Sequence, residues 1–289
     1  MTTPSFTELG QSIRNVLNSS YEYGRRVVRI TLKAKSENNL EIDSSYKLNC
    51  ENPPARGDAT VKLRLQDYGV LSEKWNSDGT INLEYKIDEG KIFEGLRIVG
   101  GYSYNPSTND SGLKVTTKFK NDFLNCSLCV GNALDKHLSF LAGVVIGLRG
   151  LFIGYQFEYE SLSSSFTASN IGVTYKFTDL SVYFKCSPGM TDHYDLSAVY
   201  KVNENFKAAI TGTLTGLDTR ANWKGGWGVQ YKFDEAATLR MKFNNELQLD
   251  TSIQHLLYDG IKVTLAFGID CRDFENSRHR VGLAIDMEV

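Results

Sequence analysis

The chain has 289 residues, 41% of them hydrophobic and 23% charged, with a formal net charge of −2. That balance gives no electrostatic reason to expect a nucleic-acid partner or an acidic substrate. The five cysteines, Cys50, Cys126, Cys129, Cys186 and Cys271, are odd in number and scattered, which sets aside a disulfide-stapled secreted domain.

A mean hydropathy of −0.29 looks soluble, but alternating lipid-facing and lumen-facing residues would cancel in such an average. The longest uncharged apolar run, Leu138 to Leu148, is about half the roughly 20 residues that a membrane-spanning helix needs.

The first element is Pro4 to Gly24, PSFTELGQSIRNVLNSSYEYG. Phe6, Leu9, Ile13, Val16 and Leu17 recur there at three- and four-residue steps, so the stretch reads as one amphipathic helix. It lacks the basic start and apolar core of a secretory leader. With Arg14 set against Glu8 it also lacks the Arg-rich, acid-poor pattern of a transit peptide. It is therefore expected to stay and to dock on whatever follows.

From Val27 the period changes to two. Val28, Ile30, Leu32 and Ala34 oppose Arg29, Thr31, Lys33 and Lys35; Val61, Leu63 and Leu65 oppose Lys62, Arg64 and Gln66. Ile81, Leu83, Tyr85 and Ile87 oppose Asn82, Glu84, Lys86 and Asp88, and the pattern runs on to Val281, Leu283, Ile285, Met287 and Val289. Only between His137 and Leu148 is the parity unclear. Short polar turns separate the stretches, among them Asp78-Gly79, Asn105-Pro106, Pro188-Gly189 and Asp259-Gly260. The count is about 19 strands, mostly 8 to 12 residues long, near the length that crosses a bilayer at a tilt.

A soluble sandwich also alternates, but some of its central strands are apolar on both faces. Here the second face is polar or charged in nearly every strand, and aromatics gather at strand ends as they do at lipid headgroups. Enough strands are present to close on themselves and remove exposed edges. The expected fold is all-β, a transmembrane β-barrel of about 19 strands preceded by an N-terminal amphipathic helix, which the resemblance described below implies lies inside the pore. No linker or charge block divides it, so residues 1–289 form one domain, with 25–289 as barrel and 1–24 as the segment that the resemblance below implies is pore helix and hinge.

Nothing in this pattern supplies a nucleophile or an acid/base pair, so no enzyme, catalytic residue, cofactor or metal is expected. His137, His193, His255 and His279 are isolated in sequence, and Cys126 and Cys129, three apart on a strand, face opposite sides. Selectivity must come from charge along the lumen. The polar parity is more basic than the chain as a whole, with Arg29 and Lys33 among its members, unless these groups pair across strands and set no net field. Glu73 is the exception, because it shares a face with Leu71 and Trp75, the expected lipid side. A carboxylate there is costly and marks a functional position, unless it reaches water at the bilayer edge.

LKAKSENNLEI (32–42), YGVLSEKWNSDGTI (68–81), FEGLRI (93–98), TASNIGVTYK, DGIKVTLAFGID and the closing HRVGLAIDMEV (279–289) resemble the voltage-dependent anion channels, the eukaryotic porins of the mitochondrial outer membrane. The opening PSFTELGQSIRNVL is similar to their N-terminal helix, so the resemblance spans the whole chain. It implies a barrel whose first and last strands pair in parallel, with the helix folded inside. It also implies diffusion of ions and small anionic metabolites such as ATP, ADP and phosphate, with voltage-dependent closure.

The resemblance further points to Glu73 in gating, self-association, and hexokinase or lipid contact, and to Gly95, Leu96 and Arg97 as a nucleotide contact. The helix departs from the family pattern. Gln11 and Ser19 stand where relatives commonly carry lysines, Asn15 where an Asp is usual, and Ser20 and Glu22 at usual hinge glycines, while Arg14 and Gly24 are kept. These departures lead us to expect weakened anion selectivity and gating. A protein-import barrel of the same membrane, expected to carry a longer N-terminal extension, and a soluble β-sheet partner-binding protein are the alternatives.

Overall fold

The computed structural model describes residues 2–21, 27–36, 39–49, 55–65, 68–88, 90–132, 137–161, 165–188, 193–216, 221–272 and 279–289. Within them nineteen strands form one sheet. The first are β1 (Val27–Lys35), β2 (Leu40–Asn49), β3 (Arg56–Leu65), β4 (Gly69–Asn76), β5 (Ile81–Ile87) and β6 (Leu96–Asn105). Next come β7 (Asp110–Lys120), β8 (Leu124–Asn132), β9 (Leu138–Leu148), β10 (Leu151–Glu160), β11 (Ser165–Lys176), β12 (Leu180–Ser187) and β13 (His193–Lys201). The chain closes with β14 (Phe206–Thr215), β15 (Asn222–Lys232), β16 (Ala237–Asn244), β17 (Gln248–Tyr258), β18 (Ile261–Asp270) and β19 (Arg280–Glu288).

Each strand pairs antiparallel with the next, and the ring closes where β1 lies parallel to β19, with Val27 opposite Gly282 and Lys33 opposite Glu288. Antiparallel alternation around a ring requires an even count, so an odd one leaves one parallel pair. Arg29 braces that joint from the lumen side, its Nη2 donating to both Asp286 carboxylate oxygens at 3.1 and 3.3 Å.

The period-two reading transfers directly to the two faces. Leu113, Ile146, Leu196 and Ile210 are exposed on the outer surface, which in a sandwich would be covered and in a bilayer meets lipid. Aromatic pairs lie on the same face, Tyr175–Phe177 with ring centroids 4.3 Å apart and Tyr231–Phe233 at 4.9 Å. β9, whose parity was unclear in sequence, turns Ile146 and Leu148 outward and buries Val145 inside. Among the described residues no helix is long and apolar enough to cross a membrane, so crossing falls to the strands.

The helix expected over 4–24 is shorter and broken. A 3-10 turn, Phe6–Glu8, is followed by α1, Gln11–Leu17. The break is Gly10, in the left-handed region at φ 71, where an added Cβ would come within 2.8 Å of the Tyr183 ring. A tertiary contact thus interrupts a sequence whose apolar spacing would continue. The expected hinge residues Glu22 and Gly24, together with Cys50 and Gly189, lie outside the described residues.

Two tight turns need glycine for the same reason. Gly95 and Gly260 have φ of 81 and 84, and a Cβ on them would sit 2.1 Å from the Lys120 carbonyl and 2.2 Å from that of Glu288. Gly260→Ala is expected to lower stability by about 1–3 kcal/mol, read as a fall in the thermal midpoint in detergent. An unchanged midpoint would contradict the strain argument.

Candidate functional site

The lumen and the segment that narrows it form the site. Phe6, Leu9, Ile13, Val16 and Leu17 are buried against Val145, Phe152, Tyr183, Val199 and Ala209, so the face read from sequence is the one that docks. The five wall residues stand on the lumen parity, which elsewhere is mostly polar. They are the bed of the helix. Glycines make room in it: a Cβ on Gly154 would lie 2.8 Å from the Phe6 ring and 2.9 Å from Leu9, and one on Gly228 would lie 2.7 Å from Leu17.

Both ends of the segment are tied. Thr3 is fully buried; its Oγ1 donates to the Asp122 carbonyl at 2.7 Å, and Asn125 Nδ2 donates to the Thr3 carbonyl at 3.1 Å. The Ser5 N–H donates to Glu8 Oε2 at 2.7 Å. That bond, helped by the field of Lys120 and Lys118, holds the Glu8 carboxyl below its ordinary range. At the other end Arg240 Nη1 donates to Ser20 Oγ at 2.9 Å, and the Lys242 ammonium lies 4.4 Å from the centre of the Tyr21 ring. Burial pushes the Tyr21 phenol upward. Behind this contact Asp250, only 5% exposed, receives Arg280 at 3.1 Å and Lys242 at 3.6 Å. Ser20 has φ 66, a backbone state natural to glycine.

The water-facing side of α1 is nearly neutral. Gln11 Nε2 donates to Asn15 Oδ1 at 2.9 Å, and Arg14 donates to Gln11 Oε1 at 3.2 Å and to the Thr7 carbonyl. Ser19 is half-buried. From Thr2 to Tyr21 the charged side chains are Glu8 and Arg14 alone, so their formal charges cancel.

Magnitudes then decide what voltage can do. Each apolar side chain buried by docking contributes about 1.5–3 kcal/mol. A full elementary charge moved across 100 mV supplies only about 2.3 kcal/mol. This segment buries five apolar side chains and offers a potential no net side-chain charge to act on.

Of the wall residues expected to select ions, Arg29 is committed to Asp286 at the joint, while Lys33 stays exposed to the lumen with Asp43 and Glu288 opposite it in register. Cross-strand pairing is real for several others: Lys62 with Asp43, Arg64 with Glu41 at 2.8 Å, and Lys74 with Asp58 at 3.2 Å. Glu73 lies on β4 between Val61 and Leu83, half-buried on the outer face with exposed Trp75. In Gly95-Leu96-Arg97 the glycine has the backbone reason given above, and Arg97 stands opposite Lys118 on the inner face. Among the described residues no group of three His, Cys, Asp or Glu could hold a metal.

Sequence reasoning missed Thr3, Tyr21, Arg240, Lys242 and Asp250 as holding residues. It also missed the bed, although a signal was present: Phe152, Tyr183, Val199 and Ala209 are apolar residues on the polar parity.

The family model described as eukaryotic porin matches residues 2–282. Over 289 residues the chain is 29% identical to a human protein named non-selective voltage-gated ion channel VDAC1, covering 99% of this chain and 98% of that one. It is 28% identical to a VDAC2 of the same description from Meleagris gallopavo, covering 99% and 94%. A solved mutant of the Rh. blastica porin superposes with a TM-score of 0.47 at 10% identity, over 86% of this chain and 90% of that one.

Two outcomes are expected. Gly154→Val should lift Phe6 and Leu9 from the bed and raise amide hydrogen exchange across 11–17; unchanged protection would refute the slot. Because the Glu8 carboxyl is lowered from 4.5, its stabilisation of the docked segment is complete above about pH 4.5 and is lost as pH falls through the lower folded value. Glu8→Gln should remove that acid dependence of exchange.

Proposed function

The chain belongs to the eukaryotic porin family, and on that premise we propose that it is a pore of the voltage-dependent anion channel type in the mitochondrial outer membrane. It passes ions and small anionic metabolites such as ATP, ADP and phosphate by diffusion. The observation that carries this reading is a closed nineteen-strand wall, apolar outside and polar inside, with an amphipathic helix lining the lumen. Polar lumens and lipid-facing belts are what a barrel needs to conduct. A buried nucleophile or a metal is not needed for diffusion.

Selectivity at the constriction is weak on this reading. Gln11, Asn15 and Ser19 bring no charge, and Arg14 is bonded back to its own segment. Voltage gating is shallow as well, since Arg240 and Lys242 hold the end of the helix and its charges cancel. Glu73 faces lipid and serves in gating, lipid contact, self-association or hexokinase docking, and Arg97 offers a phosphate contact on the lumen wall. No observation favours a polypeptide-import barrel or a soluble partner-binding protein.

Purified protein in a planar bilayer should conduct. Its reversal potential in a salt gradient should show at most a weak anion preference, and strong anion selectivity would overturn the account of the constriction. Arg240→Gln with Lys242→Gln should loosen the end of the helix and raise amide hydrogen exchange across 11–17; a double variant with the parent's protection would leave the latch without a role. Glu73→Gln should change gating or hexokinase binding, and indifference in both would return Glu73 to a rim position.

A further inference from the structure

Strand direction sorts the wall charges by depth. The turn between β1 and β2, every second turn after it, and Val289 lie at one mouth, which is the C-terminal mouth because Val289 bonds to Lys33. At this level β13 ends in Lys201 and β14 begins near Lys207, and the two lysines stand directly opposite one another. Both share the inner parity of Val199 and Ala209, which bury under the helix. Lys232 of β15 lies at the same level, as do Lys118 and Lys120 of β7 and Lys262 of β18.

Among the described residues none of these six lysines has an ion-pair partner. The nearest lumen carboxylates do not neutralise the set. Glu8 acts on Lys118 and Lys120 alone. Asp286, opposite Lys262, is held by Arg29. Glu41, Asp43 and Asp88, farther round this mouth, are taken by Arg64, Lys62 and Lys86, Glu288 stands opposite Lys33, and Asp179, Glu204, Asp234 and Glu235 sit on turns beyond the strands.

The opposite mouth is built differently. There Lys74 meets Asp58 at 3.2 Å, Lys224 meets Glu246 at 3.3 Å and Arg280 meets Asp250 at 3.1 Å. His193 meets Asp195 at 3.0 Å. Lys74, Lys224 and Arg280 are thus each matched by a carboxylate, while Lys47 and Arg56 stand opposite one another there.

The two levels are electrically separate. Asp195 and Lys201 mark the two ends of β13 and lie roughly 20 Å apart at about 3.3 Å per residue. The screening length at physiological salt is about 8 Å. Like charges held directly opposite on a sheet repel, and an anion between them relieves that repulsion.

We propose that the lumen is polarised along its axis, its C-terminal mouth a lysine collar that concentrates anions and its other mouth charge-balanced, so that the open channel rectifies. This rests on the porin reading. Anions driven inward from the collar enter a region that carries current by both ions, so salt accumulates and conductance rises; reversed polarity depletes the same region.

Single-channel currents in symmetric salt test it, since each inserted molecule has one orientation. The ratio of currents at equal and opposite voltage should be roughly 1.5 in 0.1 M KCl and approach unity in 1 M, where screening shortens to about 3 Å. Lys201→Gln/Lys207→Gln/Lys232→Gln should bring the low-salt ratio close to one while leaving conductance in 1 M near the parent's, which shows an intact barrel. Lys74→Gln/Lys224→Gln should enlarge the ratio by leaving Asp58 and Glu246 unmatched. An open channel that conducts but is ohmic in 0.1 M salt, or a triple variant that rectifies like the parent, overturns the polarity. No conductance from the parent overturns the porin reading itself.

Discussion

A backbone that crosses a bilayer has no water to bond with, so each N–H and C=O must find a partner in the protein. In this chain that constraint is met by closure, and closure depends on the parallel pairing of β1 with β19. With nineteen strands the alternation cannot complete itself, and the parallel joint is the geometric remainder. It also orients the interior. The segment before β1 lies inside the lumen, tied at the Asp122 turn at one end and to Arg240 at the other.

That path explains the irregularities of the wall. A strand facing water on its inner side has no reason to carry Phe152, Tyr183 or Val199 there. Those residues, with Gly154 and Gly228 as slots, are shaped by the helix and not by the pore. Docking in turn bends the helix: Gly10 breaks it where Tyr183 comes closest. The apolar contact holds a segment that carries no net side-chain charge.

Electrostatics follow the same geometry. The register decides which charges meet, so Arg29, Lys74, Lys224 and Arg280 find carboxylates within bonding distance, while Lys201 and Lys207 find each other. A count of wall charges in sequence treats these groups alike. Their depth and pairing separate structural charge from charge that acts on passing ions.

The sequence by itself determined the period-two wall, the inside and outside of nearly every strand, the apolar face of the helix and the outward position of Glu73. These are local properties, since alternation and helical spacing reflect which solvent each residue meets. Only the tertiary structure decided the break at Gly10, the inward face of Val145, the bed beneath the helix, and the ties of Thr3, Ser20 and Tyr21. It also decided which lysines are matched. Each of these depends on residues far apart in the chain brought together by ring closure and register, and no local pattern encodes that distance.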